Sequence, residues 1–224
     1  MSQSPLATPA SDPLDSTDLG AMSAVDLSAL LSSRVCHDLI NPVGAISSGL
    51  DMIEDVGSDA VMKEMAQDLV KDGTRKALAL LSYARLAYGA AGGHGAEIKL
   101  EDAQKVLIDL FATTKATLDW QMPDAILPKN QVKVLLILAY AAADAVPRGG
   151  NVVIKPSDTG FVLEVTGQRL FLNDEFIEAL GGNGHDLKPK FAPAYIAGLL
   201  VKEDKGSASA VLEENRVLMT ANFQ

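Results

Sequence analysis

The sequence predicts an α+β protein in which an N-terminal helical hairpin precedes an α/β sandwich, a sheet covered by helices. Three observations support this prediction. Apolar residues recur every three or four positions from Val25 to Ala87, the spacing of helices packed in a bundle. Residues 151–166 and 208–221 alternate instead as pairs of strands. The glycine-rich stretch 89–95 separates the two patterns and marks a domain boundary.

The first helix shows the bundle spacing most clearly. Pro42 lies inside it, where the ring crowds the preceding turn and lacks an N–H, so a local kink is expected. Spacings of four and three alternate along one seam, which we expect to pack in a bundle. The seam consists of Val25, Ala29, Ser32, Cys36, Leu39, Val43, Ile46, Leu50 and Ile53.

A second helix is predicted from an N-cap at Asp59 to Gly89. Gly73 and Lys76 interrupt its apolar stripe. Because two helices cannot enclose the stripes that they present, we expect two chains to assemble a four-helix bundle as a homodimer. The alternative is that the second domain covers the hairpin within one chain.

Composition and pattern together predict the domain boundaries. Residues 1–20 are predicted to be a flexible tail, 21–90 the helical hairpin, 91–96 a linker and 97–224 the second domain. In that domain the pattern predicts helices at 102–115, 130–146, 174–180 and 192–202, and strands at 117–120, 151–155, 161–166, 208–213 and 216–221.

The composition of the 224-residue chain excludes several classes of protein. With 48% hydrophobic residues it can bury a sizeable core. A formal net charge of −10 argues against binding nucleic acid or an anionic membrane, because both need a basic surface. Cys36 is the single cysteine, which fits a cytoplasmic protein without disulfides. The apolar run 134–143 is too short to span a bilayer, and the first residues do not resemble a signal peptide.

The string His37-Asp38-Leu39-Ile40-Asn41-Pro42 places an imidazole beside a carboxylate, with an amide one helical turn later. His37 lies one residue past the seam position Cys36, so its ring should reach solvent. Imidazole is a nitrogen nucleophile near neutral pH. Asp38 can accept the proton of one ring nitrogen, and Asn41 adds a neutral hydrogen-bonding group. His37, Asp38 and Asn41 are therefore catalytic candidates, typical of a histidine that carries a phosphoryl group.

A partner protein would approach the helix face that contains the histidine. Arg34 lies one turn before His37 and could offset the charge of transferring phosphoryl oxygens. Ile40, Gly44 and Ser48 continue the face toward the C-terminus, and Gly44 leaves room for another chain. We expect these four residues to contact the partner.

Two simpler interpretations compete with phosphoryl transfer at this string. A His-Asp pair on a helix is often a solvated or structural pair. It can also join other ligands in a metal-dependent phosphohydrolase, but His94 and His185 both lie in glycine-rich stretches poorly suited to rigid ligation. Residues 181–184, Gly-Gly-Asn-Gly, could approach a phosphate but lack the Lys-Ser/Thr pair of a phosphate-binding loop.

The string around His37 resembles the phosphoacceptor box of sensor histidine kinases, and the predicted domain order resembles their dimerisation and ATP-binding domains. Residues 134–150 correspond to the first ATP-binding helix of that family. The kinases' magnesium-holding asparagine has no equivalent in residues 140–143, and their Asp-x-Gly-x-Gly turn is replaced by Thr-Gly-Gln-Arg-Leu at 166–170. The resemblance implies a degenerate histidine-kinase-ATPase-like sandwich at 97–224, without nucleotide-binding motifs.

A histidine-bearing hairpin joined to such a sandwich resembles the ChpT-type histidine phosphotransferases of alphaproteobacteria, over almost the whole chain after the tail. The strings at 85–89 and 118–120 are also similar to that family. The resemblance implies a phosphorelay in cell-cycle signalling, from the receiver domain of a hybrid histidine kinase through His37 to response regulator receivers. It also implies that the receiver supplies Mg²⁺ and that this chain binds neither ATP nor another cofactor. Arg169 is a candidate docking contact or, alternatively, a surface salt-bridge residue.

Two other functions stay open on the sequence. An ATP-dependent histidine kinase would need nucleotide groups that the sequence lacks. A non-catalytic dimeric adaptor would use the same fold, with His37 incidental.

Overall fold

The computed structural model describes residues 22–55, 57, 59–89 and 96–224. The tail predicted at 1–20, most of the linker predicted at 91–96 and His94 lie outside these residues. The described elements follow in order as α1 (Ala24–Glu54), α2 (Ala60–Ala87), β1 (Glu97–Lys99), α3 (Leu100–Phe111), β2 (Ala116–Trp120), β3 (Ile126–Pro128), α4 (Lys129–Asp144), β4 (Gly150–Ser157), β5 (Gly160–Gly167), α5 (Asp174–Leu180), a 3-10 turn (Pro189–Phe191), α6 (Ala192–Glu203), β6 (Ser207–Leu212) and β7 (Val217–Asn222). The predicted α+β class is confirmed.

Two glycines bring α1 and α2 into close contact as a hairpin. Gly73 of α2 faces the Pro42 carbonyl and Ile46 of α1, whereas Gly49 of α1 faces Val70 of α2. Residue numbers rise along α1 as they fall along α2, so the two helices are antiparallel. A Cβ atom at either glycine would come within 2.7–2.9 Å of the other helix, which explains why Gly73 interrupts the apolar stripe.

Each helix of the hairpin begins at a side-chain cap. Ser23 Oγ accepts the Asp26 N–H at 3.0 Å, and Asp59 Oδ1 accepts the Met62 N–H at 2.9 Å. The predicted cap at Asp59 is confirmed. The helix continues through to Ala87, two residues before the predicted end.

The main sheet has five strands in the order β2-β4-β5-β7-β6. β2 pairs with β4 in parallel, and the other neighbours are antiparallel. The four helices α3–α6 contact this sheet, with α4 against its central strands. β1 and β3 form a separate antiparallel ribbon. The result is the predicted sheet covered by helices.

α4 is the central helix of the core. Nine of its 16 residues are buried, as expected of a helix that is apolar around most of its circumference. The second half of α2 joins the same buried cluster through Leu80, Tyr83 and Ala87. The hairpin is therefore packed on the second domain at its open end.

The predicted seam of α1 has two different environments. Leu39 and Ile46 are half-buried, and Ile46 lies against Gly73 of α2. Val43 is 52% exposed, and Leu50 is exposed as well. The apolar stripe is thus wider than the contact between α1 and α2 requires.

Some predicted boundaries are wrong. The helix predicted at 102–115 is α3 at Leu100–Phe111, because Thr113 Oγ1 and Thr114 Oγ1 donate hydrogen bonds to the carbonyls of Leu110 and Phe111 and form a turn there. The ribbon of β1 and β3 was not predicted. None of the described helices is both long and apolar enough to span a membrane.

Candidate functional site

His37 lies near the middle of α1 on the exposed side of the helix. Its side chain is 76% exposed, so another protein can reach the ring. Nδ1 lies 3.4 Å from Asp38 Oδ1, a long contact for a hydrogen bond. Because Nδ1 faces the carboxylate, Nε2 is the nitrogen open to a reacting group.

The two carboxylate oxygens of Asp38 have different neighbours. Arg34 Nε donates to Oδ2 at 2.8 Å, and Oδ1 faces the imidazole of His37. Arg34 and Asp38 are four residues apart, so the helix itself brings them together. With one oxygen held by arginine, the other is available to accept the Nδ1–H of the histidine.

Arg34 lies deeper than the sequence predicted. Its side chain is only 11% exposed, and it turns toward the second domain rather than joining the exposed face. Nη2 lies 3.8 Å from Asp144 Oδ2, and Cζ lies 5.7 Å from the centre of the Tyr140 ring. Arg34 therefore connects α1 to α4, because both Tyr140 and Asp144 belong to that helix.

Three tyrosines surround the inner side of this junction. The Tyr83 ring packs edge to face against Tyr140 and Tyr88, with centroids 5.0 Å and 5.5 Å away. The Tyr88 hydroxyl donates to that of Tyr83 at 3.2 Å. Burial raises the pKa of Tyr83 and of Tyr140 and raises the pKa of Tyr88 to about 12.

The charged groups of the junction compensate one another. Desolvation raises the pKa of Asp144, while Arg34 and Lys190 act to lower it. Desolvation also acts to lower the pKa of Arg34, but the Asp38 and Asp144 carboxylates raise that pKa above its ordinary value. Arg34 stays a cation and can hold both carboxylates.

The other predicted partner residues on α1 form one exposed face with His37. Ile40 is 66% exposed, and Asn41, Gly44 and Ser48 are exposed beside it. A Cβ atom at Gly44 would meet nothing within 4 Å, so the backbone is open to a docking chain. The structure brings these residues together, and their contact with a partner stays a prediction.

Arg169 lies on the surface of the second domain, in a bend directly after β5. The Phe171 N–H donates to the Ala145 carbonyl, which ties this segment to the end of α4. The alternative prediction, a surface salt bridge at Arg169, is not found among the described residues.

The residues at the positions of the kinase nucleotide groups differ from those groups in chemistry and in backbone setting. The Tyr140 ring is packed against Tyr83, and residues 140–143 offer neither an amide nor a carboxylate side chain. Thr166 and Gly167 belong to the β5 strand, paired with β4, rather than to an open turn. In Gly181-Gly182-Asn183-Gly184, the first residue caps the C-terminus of α5, where helix carbonyls repel an anion.

The side chains around His37 and His185 decide whether a metal site could form there. His185 is exposed and contacts only Asp186, at 3.1 Å, among the acidic side chains of the described chain. Within the described residues no group of three or more His, Cys, Asp or Glu side chains could hold a metal ion. Among the described residues, His37 thus has a carboxylate neighbour but no set of metal ligands around it.

Sequence reasoning missed the residues on the inner side of the site. Tyr140 and Asp144 lie four positions apart on the mostly apolar α4, and this spacing was the available signal. Nothing in the sequence linked them to Arg34, because that contact joins two domains. Tyr83 and Tyr88 were assigned only to the second helix and its end.

Comparisons with known proteins find a matching family model, a curated relative and a similar solved structure. The family model described as "Histidine phosphotransferase C-terminal domain" matches residues 100–216. A curated relative, "Protein phosphotransferase ChpT" of Brucella abortus (strain 2308), is 38% identical over 196 residues, 83% of this chain and 89% of the relative. A solved bacterial phosphotransferase superposes with a TM-score of 0.79 and 36% identity, covering 90% of this chain and 98% of that one. The described fold is thus similar to that of a phosphotransferase along nearly its full length.

Proposed function

The chain belongs to the histidine phosphotransferase family, and from this premise we propose that it relays a phosphoryl group through His37 between the aspartates of receiver domains. The expected relationship to ChpT-type phosphotransferases is confirmed, and the chain is a protein phosphotransferase. One observation carries the assignment to His37. This exposed imidazole faces a carboxylate through Nδ1 and leaves Nε2 open to a partner.

The proposed transfer follows from this geometry. Nε2 attacks the phosphorus of an aspartyl phosphate; the Nε2–P bond forms as the P–O bond to the receiver breaks, and the electron pair leaves with the receiver's carboxylate. Nδ1 keeps its proton, and Asp38 faces the positive charge of the phosphorylated ring. Transfer to a second receiver reverses these steps. Asn41 is one turn away as a neutral hydrogen-bonding group.

The proposed partners are the receiver domain of a hybrid histidine kinase and the receivers of response regulators. Ile40, Gly44 and Ser48 would line the contact beside His37, and Arg169 would extend it onto the second domain. Charge neutralisation at phosphorus requires Mg²⁺, which we assign to the receiver. The lack of an amide or carboxylate side chain at residues 140–143 supports transfer without ATP.

We also propose a cytoplasmic homodimer that completes a four-helix bundle. The hairpin exposes Val43 and Leu50 on α1 together with Met65 and Leu69 on α2. Apolar side chains exposed along two neighbouring helices are typical of an interface. A second copy has the same stripe and can bury it by two-fold symmetry.

The decisive experiment incubates the full-length protein with a receiver domain carrying labelled phosphate. Wild type should take the label, and His37→Ala should take none while keeping its fold. Asp38→Asn should slow transfer by about a hundredfold or more, because the carboxylate accepts the proton at Nδ1. Asn41→Ala should slow transfer as well. Equal labelling of wild type and His37→Ala would contradict the proposal, and labelling from ATP alone would indicate a kinase.

The dimer is tested separately by sedimentation. Val43→Glu places a charge in the exposed apolar stripe and should give a monomer at concentrations where wild type is a dimer. Ser48→Glu, on the proposed partner face, is the matched control and should leave the dimer intact. A monomeric wild type would contradict this part of the proposal.

A further inference from the structure

We propose that Arg34 is a positioning residue that fixes Asp38 for His37, and that Tyr140 and Asp144 of the second domain hold Arg34 in place. The inference rests on the proposed role of His37 and adds a structural link between the two domains. It makes the second domain part of the phosphoacceptor site.

The two oxygens of the Asp38 carboxylate have separate partners. Arg34 Nε occupies Oδ2 at 2.8 Å, which directs Oδ1 toward Nδ1 of His37 at 3.4 Å. A carboxylate beside Nδ1 favours the tautomer with the proton on Nδ1, which leaves the lone pair of Nε2 for the phosphorus. Without Arg34, Asp38 loses its fixed orientation, and the tautomer is no longer set.

The second domain holds Arg34 in place. The planar guanidinium directs Nε to Asp38 and Nη2 toward Asp144, and it lies near the Tyr140 ring. Of these three neighbours only Asp38 shares a helix with Arg34. The spacing along α1 brings Arg34 to Asp38, and the packing of α4 against the hairpin holds the guanidinium that orients Oδ1.

Another arginine shows what a plain surface pair looks like in this fold. Arg75 Nη1 lies 2.8 Å from Asp72 Oδ1, the same distance as in the Arg34 pair, but both side chains are about two-thirds exposed. Such an exposed pair contributes little to stability. The burial of Arg34 and its contacts with α4 distinguish it from Arg75.

Nitrogen NMR on the free, full-length protein reads the tautomer directly. The His37 signals are assigned by their loss in His37→Ala. We expect the Nδ1–H form to dominate in wild type and to give way to the Nε2–H form in Arg34→Met. Arg34→Lys should recover part of the wild-type ratio, because lysine keeps the charge without the planar fork. Arg75→Met is the matched control and should match wild type.

The two α4 variants test the link between domains. Tyr140→Leu and Asp144→Asn should each shift the ratio in the same direction as Arg34→Met, although neither side chain forms a hydrogen bond or an ion pair with His37 or Asp38 in the described structure. Transfer from a phosphorylated receiver should fall about tenfold to a hundredfold in Arg34→Met, and less in the α4 variants.

The outcomes separate this inference from the proposed function. An unchanged tautomer ratio in folded Arg34→Met overturns the inference, even when His37→Ala abolishes transfer. Slower transfer at an unchanged ratio overturns it as well, since Arg34 would then act by another route. If Arg34→Met does not fold, the two α4 variants decide the question. An unchanged tautomer ratio in both of them overturns the inference. A shifted ratio in a protein that accepts no label supports the positioning role and rejects only the proposed relay.

Discussion

Gly73 is one of the two glycines on which the spacing of the hairpin helices depends. A Cβ atom there would lie 2.8 Å from the Pro42 carbonyl oxygen and 2.9 Å from Ile46 Cγ1. Gly73→Ala should gain about 1 kcal/mol in helix propensity but lose more through overpacking, which costs about 1–3 kcal/mol. We expect a net loss of stability, measured by urea unfolding at a fixed protein concentration.

Gly44 provides the matched control on the other helix. A Cβ atom at Gly44 has nothing within 4 Å, so Gly44→Ala should raise the free energy of unfolding by about 0.5–1 kcal/mol. A Gly73→Ala protein as stable as wild type would mean that the helices can separate without cost.

Single residues also show what the sequence could predict of the site. The exposure of His37 followed from its place beside an apolar seam, and the cap at Asp59 followed from its residue type. The burial of Arg34 did not follow, because its cause lies in Tyr140 and Asp144, more than a hundred positions along the chain.

At the scale of elements, the N-terminus of α2 depends on one side chain. Asp59 Oδ1 accepts the Met62 N–H, which has no partner within the helix. Asp59→Ala should therefore reduce the free energy of unfolding by about 1 kcal/mol. Asp59→Asn keeps an acceptor and should retain most of that stability. Equal losses in the two variants would point to the charge of Asp59 instead of the cap.

Elements were predictable where their own sequence specified them. α5 begins and ends at the predicted residues because Asn173 caps it and Gly181 follows it. The three-residue strands β1 and β3 escaped prediction because so short a segment has no readable period, and each is a strand only through its partner. The apolar period of α1 predicted a buried stripe but not which neighbours would cover it.

At the scale of the whole molecule, the junction between hairpin and second domain contains three of the four tyrosines. Periodicity could not predict this junction, because it reports on one element at a time. Tyr83 and Tyr88 come from the hairpin side and Tyr140 from α4, so the cluster forms only when the domains pack. The titration of these tyrosines is therefore a probe of how the hairpin packs on the second domain.

The junction should make the folded protein sensitive to alkali. Burial raises the pKa of Tyr88 to about 12, so the folded state keeps a proton that the unfolded state releases near pH 10. Above that pH the unfolded state binds fewer protons, and stability falls by about 1.4 kcal/mol per pH unit for each such tyrosine. Urea midpoints measured from about pH 9 to about pH 11 should decrease, and they should decrease less in Tyr88→Phe, which has one tyrosine fewer to titrate. If Tyr88→Phe and wild type lost stability in parallel, the titration of Tyr88 would not contribute to the effect.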